Sequence, residues 1–440
     1  MKRNLAVRKM AFGFVPRLLV NSLIASFCLL PAQAFSQLAT DQVPRERTVP
    51  IREQVQAEVE KSRFRLGSIS IVPKLSIRDA GYNNNVFGST DNPVADWTAT
   101  ISAGVRCILP LGSKIYLRGD AVPEYIWYAQ LAQGRTLGGR YSASVLGFFN
   151  RMSVEATGFG SKSSSILNSE SETRVIDHLL SGSGKIEIDL LRRLSVFAGG
   201  GVQRHRYAQS PPGPPDVINA KDLDRTDSTA RAGIRYHFLS YLDISAGVEG
   251  IRTQFAQTPQ ERDNRSTAYL LGLHYGRPRL FINLSGGYRT GQAYNGSAFP
   301  RYSTATGSYF VSYSLAAPIE LQVYGLRGPV YALYLDNPYY LEMRNGGGVN
   351  VQIIRQLWLR GYGEYGTNSY PVPVPVDGGG SVNRLDQATT VGGGLSVLLA
   401  RNAVLTALVS RTSYSSNIPG LGRSVLRFTT SFSLEETPTR

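Results

Sequence analysis

Four histidines, three glycine triplets within alternating segments and a series of arginines and lysines are the residues of this 440-residue chain whose types point to chemistry. His178, His205, His237 and His274 are the available bases. A nucleophilic relay needs a serine within hydrogen-bond reach of a histidine and a carboxylate behind it. Serines are numerous, but none stands in a local pattern with a histidine, so a hydrolase would require strand ends to bring distant residues together. The histidines are also too far apart in sequence for a local metal-binding motif. Gly199–Gly201, Gly346–Gly348 and Gly392–Gly394 could cradle phosphate only if a helix followed. Alternating polar and apolar residues continue through each triplet instead, which marks sites of backbone bending or close approach. Asp79, Asp91 and Asp96 are oxygen donors suited to calcium, but they lack the spacing of a calcium loop. No cofactor is implied.

Charge within alternating segments is the remaining signal. Lys114, Arg118, Lys185, Arg231 and Arg235 fall on the polar parity of their segments, as do Arg106, Arg289, Arg344 and Arg427. Asp120, Glu124, Glu155, Glu187, Asp243, Glu249 and Glu320 share that parity. Two readings are open: mutually neutralising pairs, or the lining of a polar passage whose basic side sorts anions. Inward tyrosines and phenylalanines could also form a sugar-binding track, though a slip of one residue would reverse every assignment.

The elements that carry these residues are long. In 97–107, Trp97, Ala99, Ile101, Ala103, Val105 and Cys107 alternate with Thr98, Thr100, Ser102, Gly104 and Arg106. After a tight turn, Ile115, Leu117, Gly119 and Ala121 alternate with Tyr116, Arg118 and Asp120, and the segment closes on Tyr125, Trp127 and Tyr128. Successive side chains of a strand point to opposite faces. One face therefore suits hydrocarbon and the other carries charge, with aromatics at the end, as a membrane-crossing strand requires. Short turns near 109–113, 150–151, 191–193, 239–240, 276–278, 316–318, 355–356 and 400–402 alternate with long Gly- and Pro-rich connections, including 211–215 and 371–380. The spacing predicts about eighteen strands in an all-β, antiparallel, up-and-down transmembrane barrel, with short periplasmic turns and long extracellular loops. No uninterrupted apolar run of about twenty residues follows the N-terminus, which argues against a helical membrane protein.

Residues 1–34 read as a cleaved signal peptide, with Lys2, Arg3, Arg8, Lys9 and Arg17 before the apolar run 18–30 and Ala32 and Ala34 at the cleavage site. Removing those five positive charges takes the net charge from +15 to +10. The arginines are dispersed, which argues against nucleic acid as a partner. Cys107 alone survives maturation, so no disulfide within the chain is available. Residues 35–65 form a polar leader in which Ile51, Val55 and Val59 lie four apart, compatible with a short helix. That leader is read as a mobile periplasmic segment, a plug or pore-lining helix, or a docking element. Residues 66–440 form the barrel as one domain.

The run Leu66-Gly-Ser, Pro73 and Gly81-Tyr-Asn-Asn-Asn-Val-Phe87 resembles the opening of the outer-membrane β-barrel porin families of Gram-negative bacteria, particularly the "β-barrel porin 2" type. The resemblance implies outer-membrane location and a barrel more than a particular cargo. The last segment, Leu426, Phe428, Phe432 and Leu434 alternating with polar residues, resembles the signal read by the outer-membrane assembly machinery, although the chain continues to Arg440. The resulting expectation is a channel in contact with outer-membrane lipid that passes small hydrophilic solutes by diffusion with a modest anion preference, and that is capable of oligomerising. The alternatives are a structural or export-accessory barrel for envelope polysaccharide and a barrel-embedded hydrolase.

Overall fold

Alternation over thirteen or more residues is the rule along the wall, and it closes into a cylinder. The structure, a computed structural model, describes residues 51–62, 64–90, 92–170, 174–209, 219–316, 318–333, 337–376, 380–400 and 402–435. The expected signal peptide and its cleavage site, most of the expected leader, the proline run 211–215 and the extension to Arg440 lie outside these residues.

The first six strands are β1 (Ile69–Asn83), β2 (Asp96–Leu111), β3 (Ile115–Tyr128), β4 (Thr136–Phe148), β5 (Met152–Ile166) and β6 (Arg174–Leu191). They are followed by β7 (Leu194–Gln209), β8 (Arg225–Leu239), β9 (Leu242–Phe255), β10 (Asn264–Gly276), β11 (Leu280–Ala293) and β12 (Tyr302–Ala316). The circuit ends with β13 (Ile319–Tyr331), β14 (Tyr339–Ile354), β15 (Leu357–Ser369), β16 (Leu385–Ala400), β17 (Ala403–Ser416) and β18 (Arg423–Glu435). Each strand pairs antiparallel with the next, and β1 pairs with both β2 and β18, so the sheet has no free edge. Closure carries a defect at Arg78–Gly81, where the register shifts on both sides and Asp79 adopts φ 51°. β1 continues through Gly81 to Asn83, and Asn85 makes the turn that follows by bonding Ser89 through both ends of its amide. Val86 then folds inward against Ile126, Tyr128 and Ile176.

Burial follows the predicted parity. Trp97, Ile101, Tyr125, Tyr141, Val202, Tyr269, Tyr288 and Val391 are exposed on the outer face, whereas Ser102, Tyr116 and Glu124 are buried inside. An apolar exterior on a closed barrel is the arrangement that satisfies every strand backbone group without water. Two glycines of the triplets serve close packing: a Cβ on Gly346 or Gly392 would meet the rings of Tyr324 or Tyr362, each on the neighbouring strand, at 2.5 Å.

All short turns lie at one end, which in barrels of this kind faces the periplasm, and the long loops lie at the other. At the short-turn end the leader forms helix α1 (Ile51–Lys61). Its stripe of Ile51, Val55 and Val59 packs against the inward-facing Ile108, Tyr116 and Leu146, and Val55 is fully buried. For residues 51–61, then, the chain is a lumen-wall helix rather than a free leader. The apolar stripe was readable in the sequence, but the inward apolar patch that receives it was not.

Candidate functional site in the lumen

β1 to β4 place a ladder of cations on the inner wall. Three of them converge on one acid: Asp120 lies 3.1 Å from Lys74 Nζ, 2.9 Å from Arg106 Nε and 3.3 Å from Arg118 Nε. One rung further toward the long loops, Glu124 is held by Arg78 Nη2 at 2.7 Å and Arg140 Nε at 3.0 Å. Within the strand wall, two acids thus serve five bases among the described residues, with Glu58 of α1 as a further partner of Arg106, and basic side chains outnumber acidic ones there.

The opposite boundary is a loop that sequence reasoning missed. The β5–β6 connection leaves its own wall and docks on strands nine positions around the eighteen-strand circuit, halfway round the barrel. Ser169 Oγ lies 2.9 Å from the Tyr340 hydroxyl on β14 and donates to Asn368 Oδ1 on β15 at 3.1 Å. The Glu170 carboxylate accepts from Leu333 N at 2.7 Å and from the Tyr370 hydroxyl at 2.9 Å, with Arg384 Nη1 at 3.5 Å. Arg423 Nη2 donates to the Glu170 carbonyl at 2.7 Å. Arg262, fully buried in a single helical turn, donates to the carbonyls of Ala332 and Leu333 and holds the receiving segment in place. Burial pushes the Glu170 carboxyl above its ordinary value, although Leu333 N–H, Arg384 and Tyr370 act in the other direction. None of these partners is near 163–170 in sequence, and no local pattern announced the docking.

Between the ladder and this crossing loop lies a chamber of about 730 Å³. Lys74, Arg78, Arg106, Arg118 and Arg140 line one side, and Ser164, Ser165, Asn168 and Ser169 supply the loop side. Arg174 enters from β6, and Arg344 closes the chamber from the far wall. Only Asp79 and Asp120 oppose these seven cations among the lining residues described. Arg78 Nε, Arg174 Nε and Ser164 Oγ are enclosed and have no hydrogen-bond partner among the described residues. Enclosed donors of this kind favour a ligand that accepts hydrogen bonds and carries negative charge.

The residues singled out in the sequence distribute as follows. Arg118, Asp120 and Arg344 line the chamber. Lys185 and Arg235 face inward but are bound to Glu187, at 2.9 and 2.5 Å. Arg289 pairs with Glu249 at 2.5 Å, and Arg344 is also gripped by Glu342 and Glu364. Arg231 and Arg427 share the inward parity of β8 and β18 without reaching the chamber. Lys114 is placed elsewhere: it sits exposed in the turn 112–114, where the chain has left the wall and parity no longer applies. Arg78, Arg140 and Arg174 were not singled out. Arg78 keeps the alternation but ends it at the bulge that follows, and Arg174 stands at a loop–strand junction where no alternation has yet begun.

Strand pairing brings the distant hydrolytic elements together. Ser195 Oγ lies 3.1 Å from His237 Nε2, and His237 Nδ1 lies 2.7 Å from Asp243 Oδ1. Relay order alone is insufficient, because attack needs a substrate atom about 3–3.5 Å from the nucleophile. Ser195 is fully buried, also contacts Glu187, and pairs on both flanks with Asp189 and Arg235. A fluorophosphonate probe is therefore expected to leave Ser195 unlabelled, read by intact-protein mass spectrometry; stoichiometric labelling lost in Ser195→Ala would restore the hydrolase. Elsewhere, His205 contacts Asp177 and Tyr207, and His274 packs edge-on against Phe281. Asp96 accepts backbone N–H bonds from Trp97, Gln130 and Leu131, and Asp79 faces Arg174 at 3.7 Å, so the two are engaged separately; Asp91 lies outside the described residues.

No family model matches the sequence, and no curated protein matches it. Solved structures do match. The outer membrane protein OpdK from Pseudomonas aeruginosa aligns with 83% of this chain and 99% of its own at 10% identity and a TM-score of 0.52. The fold is that of an outer-membrane porin. A BenF-like porin from Pseudomonas fluorescens Pf-5 aligns with 84% of this chain and 99% of its own at 12% identity and a TM-score of 0.51. OccK2 (OpdF) of Pseudomonas aeruginosa, solved in complex with glucuronate, aligns with 83% and 98% at 11% identity and a TM-score of 0.51. At these identities the likeness is one of fold.

Proposed function

We propose that the protein is an outer-membrane channel that passes small hydrophilic solutes by passive diffusion and prefers anions. The observation that carries this reading is the chamber at the crossing loop, whose lining carries seven basic and two acidic side chains, with Glu58, Glu124, Glu342 and Glu364 pairing some of those bases from outside the lining. A low-dielectric passage concentrates the ion of opposite sign, and fixed donors orient it. Small carboxylates are the solute class that fits enclosed guanidinium N–H groups best. The glucuronate bound by OccK2, a fold neighbour, supports that class. No catalytic role is assigned. Outer-membrane lipid and the assembly machinery are the partners this reading implies, along with the solutes themselves, and the barrel is compatible with oligomerisation.

The test is a planar-bilayer recording of the mature protein under a potassium chloride gradient. The reversal potential should lie on the anion side at 0.1 M salt, where charges act over roughly 10 Å, and approach zero selectivity near 1 M, where the reach is about 3 Å. Cation preference at low salt would overturn the reading. A lumen crossed by a loop and partly occupied by a helix also favours a second reading, a barrel that serves envelope polysaccharide without conducting. Absence of conductance in a variant with both obstacles released would select it.

A further inference from the structure

Arg106 belongs to two structures at once. It lines the chamber, and its Nη1 lies 2.7 Å from Glu58 Oε1 of α1, on a side chain that is nearly fully buried. We infer that α1 is a displaceable plug whose Glu58 carboxylate holds the position on Arg106 that the carboxylate of an anionic solute takes during passage. The inference rests on the anion-channel reading and adds a competitor built into the chain.

Three observations carry it. The contact is made by a carboxylate, the same group expected of the solute, and it addresses a base that also reaches Asp120. The grip is incomplete: Glu58 Oε2 is enclosed and has no hydrogen-bond partner among the described residues. A buried, half-satisfied carboxylate is a poor occupant, and a mobile one able to satisfy both oxygens can replace it. The helix is also conditional. It has 11 residues, below the length at which isolated helices hold together in water, so it is maintained by Val55 and its neighbours on the wall. Release therefore melts it and removes the obstruction in one step. It does not depart, because Ser62 Oγ contacts the carbonyls of Phe64 and Ile71, and Phe64–Leu66 pairs with the start of β1.

The experiment uses the full mature chain in a Cys107→Ala background, with Val55→Cys as a reporter of undocking. Thiol labelling of position 55 should be slow in the resting channel. Sodium glucuronate should raise the rate at least fivefold and glucose should leave it unchanged. Glu58→Gln should label fast without any solute, and a Val55→Cys/Leu146→Cys pair, once oxidised, should hold the channel in its lower conductance level until reduced. Labelling that is indifferent to both glucuronate and Glu58→Gln overturns the plug while leaving an anion-selective conductance intact. A variant with residues 51–61 replaced by a glycine–serine linker separates the two ideas further: if it conducts no anions, the channel reading itself fails.

Discussion

Glu170→Ala is expected to raise the mean single-channel conductance about twofold and to add frequent transitions between levels. The substitution removes the acceptor for Leu333 N–H and for the Tyr370 hydroxyl, two bonds of 2.7 and 2.9 Å that fasten the crossing loop to the far wall. Bonds to a charged partner contribute about 1.5–3 kcal/mol each. Relief of the desolvated carboxylate offsets part of that sum, leaving roughly 2 kcal/mol, enough to change the docked-to-released ratio by about thirtyfold. Arg384 keeps Asp386 as a partner, so the far wall itself should survive. Glu170→Gln retains an acceptor and should conduct like the parent at acid pH, where the carboxyl of the parent is protonated. The carboxyl also makes docking pH-dependent. Its value in the docked loop is raised above the ordinary 4.5 chiefly by burial, so the docked state binds the proton more tightly than the released state. Docking is therefore strongest below about pH 4.5 and weakens as pH rises through the raised value. Level transitions should become more frequent across that window in the parent and not in Glu170→Gln. An unchanged conductance in Glu170→Ala would show that the loop does not set the constriction.

How far the sequence could be read depended on how local the determinants were. The wall was legible because a lipid-facing exterior and a wet interior impose a two-residue period that Trp97, Ile101 and Tyr125 display openly. The inward parity of Arg118, Lys185, Arg235, Arg289 and Arg344 followed from the same period. Lys114 fell outside it because parity was extended one residue too far into a turn. The chamber was not legible as a unit. Arg78 follows the alternation but sits against a bulge, Arg174 begins a strand, and the loop bearing Ser169 and Glu170 finds its partners 163 to 253 residues away. Such contacts depend on which strands end up diametrically opposed, and that is set only when all eighteen have closed. The Ser195–His237–Asp243 cluster has the same origin, since neighbouring strands in register brought together residues that no motif connected.

The double substitution Arg118→Glu/Arg140→Glu should reverse the selectivity of the channel at low salt. Both side chains line the chamber, and Arg140 is among the most exposed of the ladder, with 44% of its side chain accessible. Lys74 and Arg106 remain on Asp120 and Arg78 remains on Glu124, so each new carboxylate still has a cation nearby and the wall should fold. The chamber charge falls by four. At about 10 Å and an effective dielectric constant of about 40, one unit charge acts on a passing ion with about 0.8 kcal/mol, which 0.1 M salt reduces to about 0.3. Four units then amount to about 1.2 kcal/mol, an approximately eightfold loss in anion entry with a matching gain for cations. At 1 M salt the same arithmetic leaves almost nothing, so the parent and the variant should converge. Lys114→Glu, in the exposed turn, and Leu117→Val, on the outer face, should leave the reversal potential where it was. A shift with Lys114→Glu as large as that of the chamber pair would move the selectivity determinant from the chamber to the periplasmic mouth, because only a charge at the constriction acts on an ion that has already shed part of its bulk screening.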